Sequence, residues 1–207
     1  MKNSNSNHIA IVFDFGGVLI DWDPRYLYQK LFKGDQEAME RFLSEVSFYE
    51  WNLGQDEGRL FSEAVAELSA RYPMYGEMIR AYDEHYEESI AGPIQPTVEI
   101  LASLKRRGYP LYALSNWSAE KFHVVQHKYE FFSWFETILL SGEVKLSKPD
   151  ARIFQIFLQR IGRTANECLL IDDSAKNIAT ARQLGFKTIH FQSPELLSEA
   201  LHQMGML

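Results

Sequence analysis

Five side chains capable of chemistry stand at or just after the ends of short apolar segments in the sequence. They are Asp14, Ser115, Lys148, Asp172 and Asp173. Three carboxylates brought together repel one another, and each raises the pKa of its neighbours unless a cation lies among them. Oxygen ligands of this kind suit a hard ion, Mg²⁺ first. Since a lysine and a serine can bind phosphate oxygens while a carboxylate attacks phosphorus, the set predicts phosphoryl transfer.

Each of these residues has a purely structural explanation when it is taken singly. Asp14 can cap the glycine turn at Gly16-Gly17, and a lysine before a proline is usually a solvated loop residue. Ser115-Asn116 can N-cap the helix that follows, and Asp172-Asp173 can cap a helix beginning at Ser174. Found together, in this order and at four strand ends, they favour one shared site over separate caps.

The segments that carry these residues alternate between strand and helix. Strands are predicted over 9–15, 110–116, 136–141, 167–173 and 187–191, and helices over 96–107, 118–129, 149–162, 174–185 and 193–204. Repeated β-α units of this length predict a parallel sheet with helices on both faces. The carboxyl ends of parallel strands share one edge, where open α/β sheets bind ligands. The predicted fold class is therefore α/β, with a Rossmann-like parallel sheet.

A helical segment interrupts this pattern after the first strand. Residues 22–92 contain no convincing strand, and helical spacing predicts helices over 24–32, 35–46, 57–72 and 76–90. We therefore expect an α/β core of residues 9–21 and 93–207 and an all-helical cap of residues 22–92, placed to fold over the site. Trp51 and Asn52, before the turn-rich "LGQDEG", and Trp117 are candidate substrate contacts, with packing as the alternative.

Composition narrows the class of protein further. The formal net charge of the 207 residues is −7, which argues against binding to nucleic acid or to an anionic membrane surface because both need a basic face. The polar first eight residues are expected to form a frayed tail without a signal peptide, and no apolar run is long enough for a membrane helix. A single cysteine, Cys168, suits a reducing compartment. A cytoplasmic location is expected.

The order of these segments resembles the haloacid dehalogenase (HAD) superfamily over nearly the whole chain. "DFGGVLID" (14–21), "LSN" (114–116), "KPDARIF" (148–154) and "IDDSAKNI" (171–178) are similar to its four motifs. The predicted cap resembles the small helical cap of that superfamily. Among its subfamilies, the chain is most similar to the bacterial sugar-phosphate phosphatases typified by α-D-glucose-1-phosphate phosphatase.

The resemblance implies a role for each matching residue. Asp14 would be the nucleophile that forms an aspartyl-phosphate, and it would bind Mg²⁺ together with the Gly16 carbonyl and Asp173, while Asp172 would act through water. Ser115 would hold the phosphate and Asn116 would support that loop. Lys148 would balance the charge on nucleophile and phosphate, and Asn177 would orient the acidic pair.

Gly16 departs from the pattern of the superfamily. Most of its phosphatases carry there a second Asp, which protonates the leaving oxygen and then activates water, and loss of a general acid/base typically costs ~10²–10⁴ in rate. An anomeric sugar phosphate depends less on that acid, because its hemiacetal leaving group is more acidic than an ordinary alcohol. Asp21 and Asp23 are candidate substitutes, although turn and helix-capping roles before Pro24 also explain them.

The sequence thus predicts a Mg²⁺-dependent phosphatase, a phosphoric monoester hydrolase, of small phosphorylated metabolites, with sugar phosphates as the expected class. One alternative is a 2-haloacid dehalogenase, a family that also lacks the second Asp; it uses no metal, so Asp172-Asp173 argues against it. Another is a non-catalytic module that binds phosphometabolites or a protein partner, and retention of the nucleophile, serine, lysine and acid pair argues against that. The sequence names neither the individual substrate nor the oligomeric state.

Overall fold

A five-stranded parallel sheet lies at the centre of the structure, a computed structural model that describes residues 9–207. The tail expected over residues 1–8 lies outside the described residues. The strands are β1 (Ala10–Phe13), β2 (Ile20–Trp22), β3 (Ile90–Pro93), β4 (Leu111–Ser115), β5 (Thr137–Leu140), β6 (Cys168–Asp172) and β7 (Lys187–His190). The α-helices are α1 (Arg25–Leu31), α2 (Gln36–Glu45), α3 (Phe48–Asp56), α4 (Phe61–Arg71), α5 (Gly76–Glu84), α6 (Gln95–Arg106), α7 (Ala119–Val125), α8 (Ser141–Val144), α9 (Ala151–Ile161), α10 (Ala175–Gln183) and α11 (Pro194–Gln203).

The sheet has the strand order β5-β4-β1-β6-β7, and every neighbouring pair is parallel. β1 therefore occupies the middle, between β4 and β6, and the residues that follow these three strands meet at one edge. This arrangement confirms the α/β fold class with a Rossmann-like sheet.

Both faces of the sheet are covered, as expected for parallel strands. Along β1, Ile11 and Phe13 belong to one apolar cluster and Ala10 and Val12 to the other, and all four are fully buried. Phe154, from α9, belongs to the second cluster. The alternation explains why β1 reads as a continuous apolar run, since each face of the strand packs against helices.

The cap, the name we keep for residues 22–92, contains α1 to α5. One of its helices differs from the sequence prediction: α3 runs through Asp56, whereas "LGQDEG" was expected to be turn-rich. Phe48, Asn52 and Gln55 are buried along one face of α3. Because this spacing places all three on one side, burial of that face keeps the segment helical despite Gly54.

The second difference concerns the ends of the cap. The helix predicted over 76–90 ends at Glu84 as α5, because Ile90 to Pro93 form β3 and pair antiparallel with β2, with Asp21 opposite Gly92. The sequence prediction lacked both strands, which are three and four residues long. The division into a core of 9–21 and 93–207 and a cap of 22–92 stays a prediction.

Among the helices of residues 9–207, none combines the length and the apolar character needed to cross a membrane.

Candidate active site

Asp14 lies directly after β1, and its carboxylate is held on both sides. Oδ1 accepts hydrogen bonds from the Phe15 backbone N–H at 2.7 Å and from Ser115 Oγ at 2.8 Å. Oδ2 lies 2.8 Å from Nζ of Lys148. Only 7% of the residue is exposed. Such a carboxylate is fixed in orientation, as a nucleophile requires.

Lys148 places a positive charge between two carboxylates. Its ammonium lies 2.6 Å from Oδ2 of Asp172 as well as beside Asp14, and its side chain has no exposed surface. Burial lowers the pKa of Lys148, but attraction to Asp14 and Asp172 outweighs burial, so that the pKa of Lys148 is raised. The lysine is therefore charged, and it neutralises part of the acidic cluster.

Asn116 fixes the backbone that carries Lys148. Its Oδ1 accepts from the Lys148 N–H at 2.8 Å, and its Nδ2 donates to the Lys148 carbonyl at 2.9 Å. These two hydrogen bonds join the loop after β4 to the loop before α9. The ammonium of Lys148 thus gets its position from a residue that follows a neighbouring strand.

Asp172 and Asn177 form the opposite wall. Oδ1 of Asp172 accepts from the Ser174 N–H at 2.9 Å and from Asn177 Nδ2 at 3.0 Å. Asp172 and Asn177 are both buried, and Ser174 N-caps α10. The first turn of α10 therefore orients the Asp172 carboxylate towards Lys148.

The carboxylates of Asp14, Asp172 and Asp173 can each offer an oxygen within 4.8 Å of the others. Burial raises the pKa of Asp14 to about 7, with Lys148 opposing and Asp172 adding to this effect. Burial and the neighbouring Asp172 also raise the pKa of Asp173. A set of three oxygen donors that disfavour each other's charge fits a hard divalent cation, because the cation would relieve their repulsion.

The two glycines after Asp14 differ in what surrounds them. Gly17 has a φ of +70°, and an added Cβ would collide with Oδ2 of Asp173. An added Cβ at Gly16 would meet nothing within 4 Å. Gly17 is thus needed for backbone conformation and close approach, whereas Gly16 leaves space beside the nucleophile.

Gly16 lines two neighbouring hollows. A cleft of about 540 Å³ is lined by Asp14, Gly16, Lys148 and Asp173, together with other residues of the sheet edge. A smaller cavity of about 70 Å³ lies between Gly16 and the cap. Asn116 and Trp22 border both hollows, as Gly16 does.

Asp21 and Asp23 have other partners. Both Asp21 oxygens accept from the Tyr26 hydroxyl at 3.0 Å. Asp23 Oδ1 accepts from the Arg25 N–H at 2.9 Å at the start of α1. Neither carboxylate lines the cleft or the small cavity.

Asp56 lines the small cavity, and the sequence analysis did not single it out. Its Oδ1 accepts from the Ser118 N–H at 3.1 Å, and its Oδ2 accepts from Asn52 Nδ2 at 3.0 Å. Its carbonyl accepts a hydrogen bond from Ser141 Oγ. The i, i+4 spacing of Asn52 and Asp56 could have indicated one polar helix face. Of the residues proposed as substrate contacts, Asn52 and Trp117 line this cavity, whereas the indole of Trp51 donates to the Ala64 carbonyl.

The sequence relatives include phosphatases of similar length. The chain is 24% identical over 181 residues to the sesquiterpene phosphatase astK of Aspergillus oryzae, covering 87% of this chain and 88% of that protein. It is 24% identical over 189 residues to the D-ribitol-5-phosphate phosphatase of Bacteroides thetaiotaomicron, covering 86% and 89%. Haloacid dehalogenases are also among the relatives, and the chain spans only a small part of some longer relatives.

The fold is similar to that of an enzyme solved with ligands. A HAD family enzyme from Bacteroides thetaiotaomicron, in complex with magnesium and inorganic phosphate, matches with a TM-score of 0.68 and 27% identity, over 89% of this chain and 94% of that one. A family model described as haloacid dehalogenase-like hydrolase matches residues 10–185. The chain therefore belongs to the haloacid dehalogenase-like hydrolases.

Proposed function

We propose that this hydrolase is a Mg²⁺-dependent phosphatase of small phosphorylated metabolites, with sugar phosphates as the substrate class. The observation that carries the proposal is the arrangement around Lys148, whose ammonium joins Asp14 to Asp172 while Asp173 lies near both. The site thereby combines a fixed nucleophile, a buried cation and oxygen donors for a metal. The phosphatase relatives and the magnesium-phosphate complex of the similar enzyme support the same chemistry.

In this proposal, Asp14 Oδ1 or Oδ2 attacks phosphorus, and the bond from phosphorus to the leaving oxygen breaks. Ser115 and the backbone N–H groups after Asp14 bind phosphate oxygens, and Lys148 offsets their negative charge. Asp14, Asp173 and the Gly16 carbonyl, with Asp172 behind them, would hold Mg²⁺, which when bound supplies positive charge to the phosphate. Water then cleaves the aspartyl-phosphate, releasing inorganic phosphate and restoring the Asp14 carboxylate.

A 2-haloacid dehalogenase is the second candidate, favoured by the absence of a carboxylate at Gly16 and by dehalogenases among the relatives. The acidic pair Asp172-Asp173 counts against it, because halide displacement by a carboxylate has no use for a cluster of metal ligands. Release of chloride from 2-chloropropionate in the presence of EDTA would reverse the ranking.

The decisive experiment measures hydrolysis of p-nitrophenyl phosphate and of a panel of sugar phosphates with Mg²⁺ or with EDTA. Wild type is expected to act only with Mg²⁺, and Asp14→Asn is expected to lose activity on every substrate. Full activity of Asp14→Asn, or indifference to EDTA, would refute the phosphatase mechanism. Binding of phosphate esters without turnover would favour a non-catalytic module instead.

A further inference from the structure

The small cavity beside Gly16 is lined by polar groups of both the cap and the core. Asp56, Asn52 and Trp22 line it from one side, and Gly16, Asn116 and Trp117 from the other. Since Gly16 and Asn116 also line the cleft that holds Asp14, a substrate whose phosphate lies in the cleft can extend its leaving group into this cavity.

Three buried polar atoms of the cavity lining have no hydrogen-bond partner among residues 9–207. They are Asn52 Oδ1, Trp22 Nε1 and Trp117 Nε1. Asn52 and Trp117 are only 7% and 5% exposed. The hydroxyls of Tyr82 and Tyr86 lie beside the indoles of Trp22 and Trp117 without meeting them in hydrogen-bond geometry. Among the described residues that line this cavity, Asp56 carries the carboxyl group, so it is the residue that can exchange a proton with an occupant.

The Asp56 carboxyl group is suited to carry a proton. It is partly buried at the end of α3, and burial raises its pKa to about 7, with a lowering effect of the Ser118 N–H and a raising effect of Glu57. The acid and the carboxylate forms of Asp56 are therefore both accessible near neutral pH, as general acid/base catalysis requires.

We propose that Asp56 is the general acid/base of this enzyme, acting from the cap in place of the carboxylate absent at Gly16. The inference rests on the proposed phosphatase function. When the bond from phosphorus to the leaving oxygen breaks, that oxygen takes the proton of Asp56 and departs as an alcohol. The Asp56 carboxylate then takes a proton from water, whose oxygen attacks the aspartyl-phosphate.

Space at Gly16 is what makes this arrangement workable. Because an added Cβ at Gly16 would meet nothing within 4 Å, the leaving group can occupy the volume that a side chain would fill. Gly16 lines both the cleft that holds Asp14 and the small cavity that Asp56 lines. Asp21 and Asp23 are less suited to the role, since neither lines this cavity or the cleft that holds Asp14.

The test compares Asp56→Asn with wild type on p-nitrophenyl phosphate and on the most rapidly hydrolysed member of a panel of sugar and polyol phosphates. Nitrophenolate leaves without being protonated, whereas an alkoxide leaving group needs a proton as the bond to phosphorus breaks. We expect Asp56→Asn to lower kcat/KM for the alkyl phosphate by ~10² or more and kcat/KM for the nitrophenyl ester by less than about threefold. This parameter covers the steps up to release of the leaving group, so it excludes hydrolysis of the aspartyl-phosphate, which both substrates share. The substitution preserves shape, and rotation of the Asn52 amide lets its free Oδ1 accept from the new amide.

A second variant distinguishes loss of proton transfer from loss of a hydrogen bond between the cap and the core. Glu120→Ala removes the acceptor for the Phe61 N–H, a different hydrogen bond from the core to the cap, and we expect it to change both substrates by the same factor. An equal loss of kcat/KM on both substrates in Asp56→Asn would make Asp56 a structural contact only and would overturn the proposal. An unchanged alkyl phosphate rate would also overturn it.

A double variant tests independently whether a carboxylate at position 16 can replace Asp56. Gly16→Asp restores the carboxylate from the core side, where the space is open, so Gly16→Asp combined with Asp56→Asn is expected to regain at least about tenfold on the alkyl phosphate. If wild type hydrolyses nitrophenyl phosphate but no alkyl phosphate, no acid operates and this inference fails alone. If Asp14→Asn keeps full activity, the phosphatase function fails first.

Discussion

At Gly17 a backbone φ of +70° and the carboxylate of Asp173 leave no room for a side chain. Gly17→Ala is expected to lower the free energy of unfolding by about 1–2 kcal/mol, the cost of a left-handed backbone in a residue with a Cβ. It should also displace Asp173 and raise the Mg²⁺ concentration needed for half-maximal activity. Thermal unfolding and a Mg²⁺ titration measure the two effects.

Gly16→Ala serves as the comparison for stability. The added Cβ would lie in open space, and the backbone at Gly16 does not have a positive φ. We expect its unfolding free energy to stay within about 0.5 kcal/mol of wild type. Equal stability of the two alanine variants would contradict the geometric reason given for Gly17.

The pKa of Asp56 leads to a prediction about pH. Because burial raises this pKa to about 7, the acid form needed for the leaving oxygen is present below neutrality and is lost as pH rises. The ratio of kcat/KM for the alkyl phosphate to kcat/KM for nitrophenyl phosphate should therefore be flat in mild acid and fall as pH rises through about 7. Groups that both substrates need, Asp14 among them, cancel in this ratio.

The groups that face Asp56 agree with this direction. Glu57 is the nearby charge that raises its pKa, and burial holds the pKa values of Tyr82 and Tyr86 well above their usual value, so both tyrosines stay neutral. A rate ratio that stays constant from pH 5 to pH 9 would remove Asp56 from proton transfer.

Between elements, the loops after β4 and before α9 depend on the side chain of Asn116. Asn116→Ala leaves the backbone N–H and carbonyl of Lys148 without their partners. Each unpaired group costs about 1–3 kcal/mol, so we expect a lower melting temperature and a lower kcat on all substrates, because the Lys148 ammonium loses its position. Calorimetry and steady-state kinetics check the two effects.

Asn166→Ala provides the matched control, since Asn166 is exposed and, within residues 9–207, its side chain accepts a hydrogen bond from the Thr164 hydroxyl alone. It should change stability by no more than about 0.5 kcal/mol. A kcat of Asn116→Ala equal to that of the control would show that Lys148 is positioned without Asn116.

At this same scale, the sequence predicted the alternating part of the fold and missed the irregular part. The strand ends at Asp14, Ser115 and Asp172 were predictable, because apolar runs followed by polar residues repeat there with a β-α period. β2 and β3 were not predictable, because they are too short to show alternation and pair only across the length of the cap. The segment that ends at Asp56 was misjudged because its glycine and acids mimic a turn.

At the candidate site, the residues that belong to the four motifs could be predicted from the sequence, whereas Asp56 could not. Asp14, Ser115 and Asp172 lie at strand ends, so the sheet brings them together. Lys148, which was expected to follow a strand directly, lies in the loop after α8 and is held there by Asn116. Asp56 reaches the site only because α3 packs against the loop of Ser118, 62 positions further along the chain. The spacing of Asn52 and Asp56 indicates a polar helix face, but it does not indicate which distant loop that face contacts.

On the scale of the whole molecule, cap and core share one apolar cluster. It includes Phe13 and Phe15 of the core together with Tyr28, Phe48 and Tyr82 of the cap. We therefore expect a single cooperative unfolding transition, with equal calorimetric and van't Hoff enthalpies. Phe48→Ala should lower the free energy of unfolding by about 3–5 kcal/mol and shift this one transition without splitting it.

Leu53→Ala, on the exposed face of the same helix, should leave the transition within about 1 kcal/mol of wild type. Two separate transitions in Phe48→Ala would mean that the cap melts alone and that the shared cluster does not couple the two parts.

The pairing of β2 with β3 has a consequence for how this protein can change over evolutionary time. β2, which ends at Trp22, and β3, which begins at Ile90, form a two-stranded sheet separate from the parallel sheet. The segment between them is therefore closed at its ends by this pairing. Lengthening a closed segment adds little entropic cost. Insertions and deletions between these strands can therefore accumulate without disturbing the register of the parallel sheet. New specificities can arise in this stretch of the gene, provided that Asp56 is kept, while Asp14, Ser115 and Lys148 lie outside it and stay as they are.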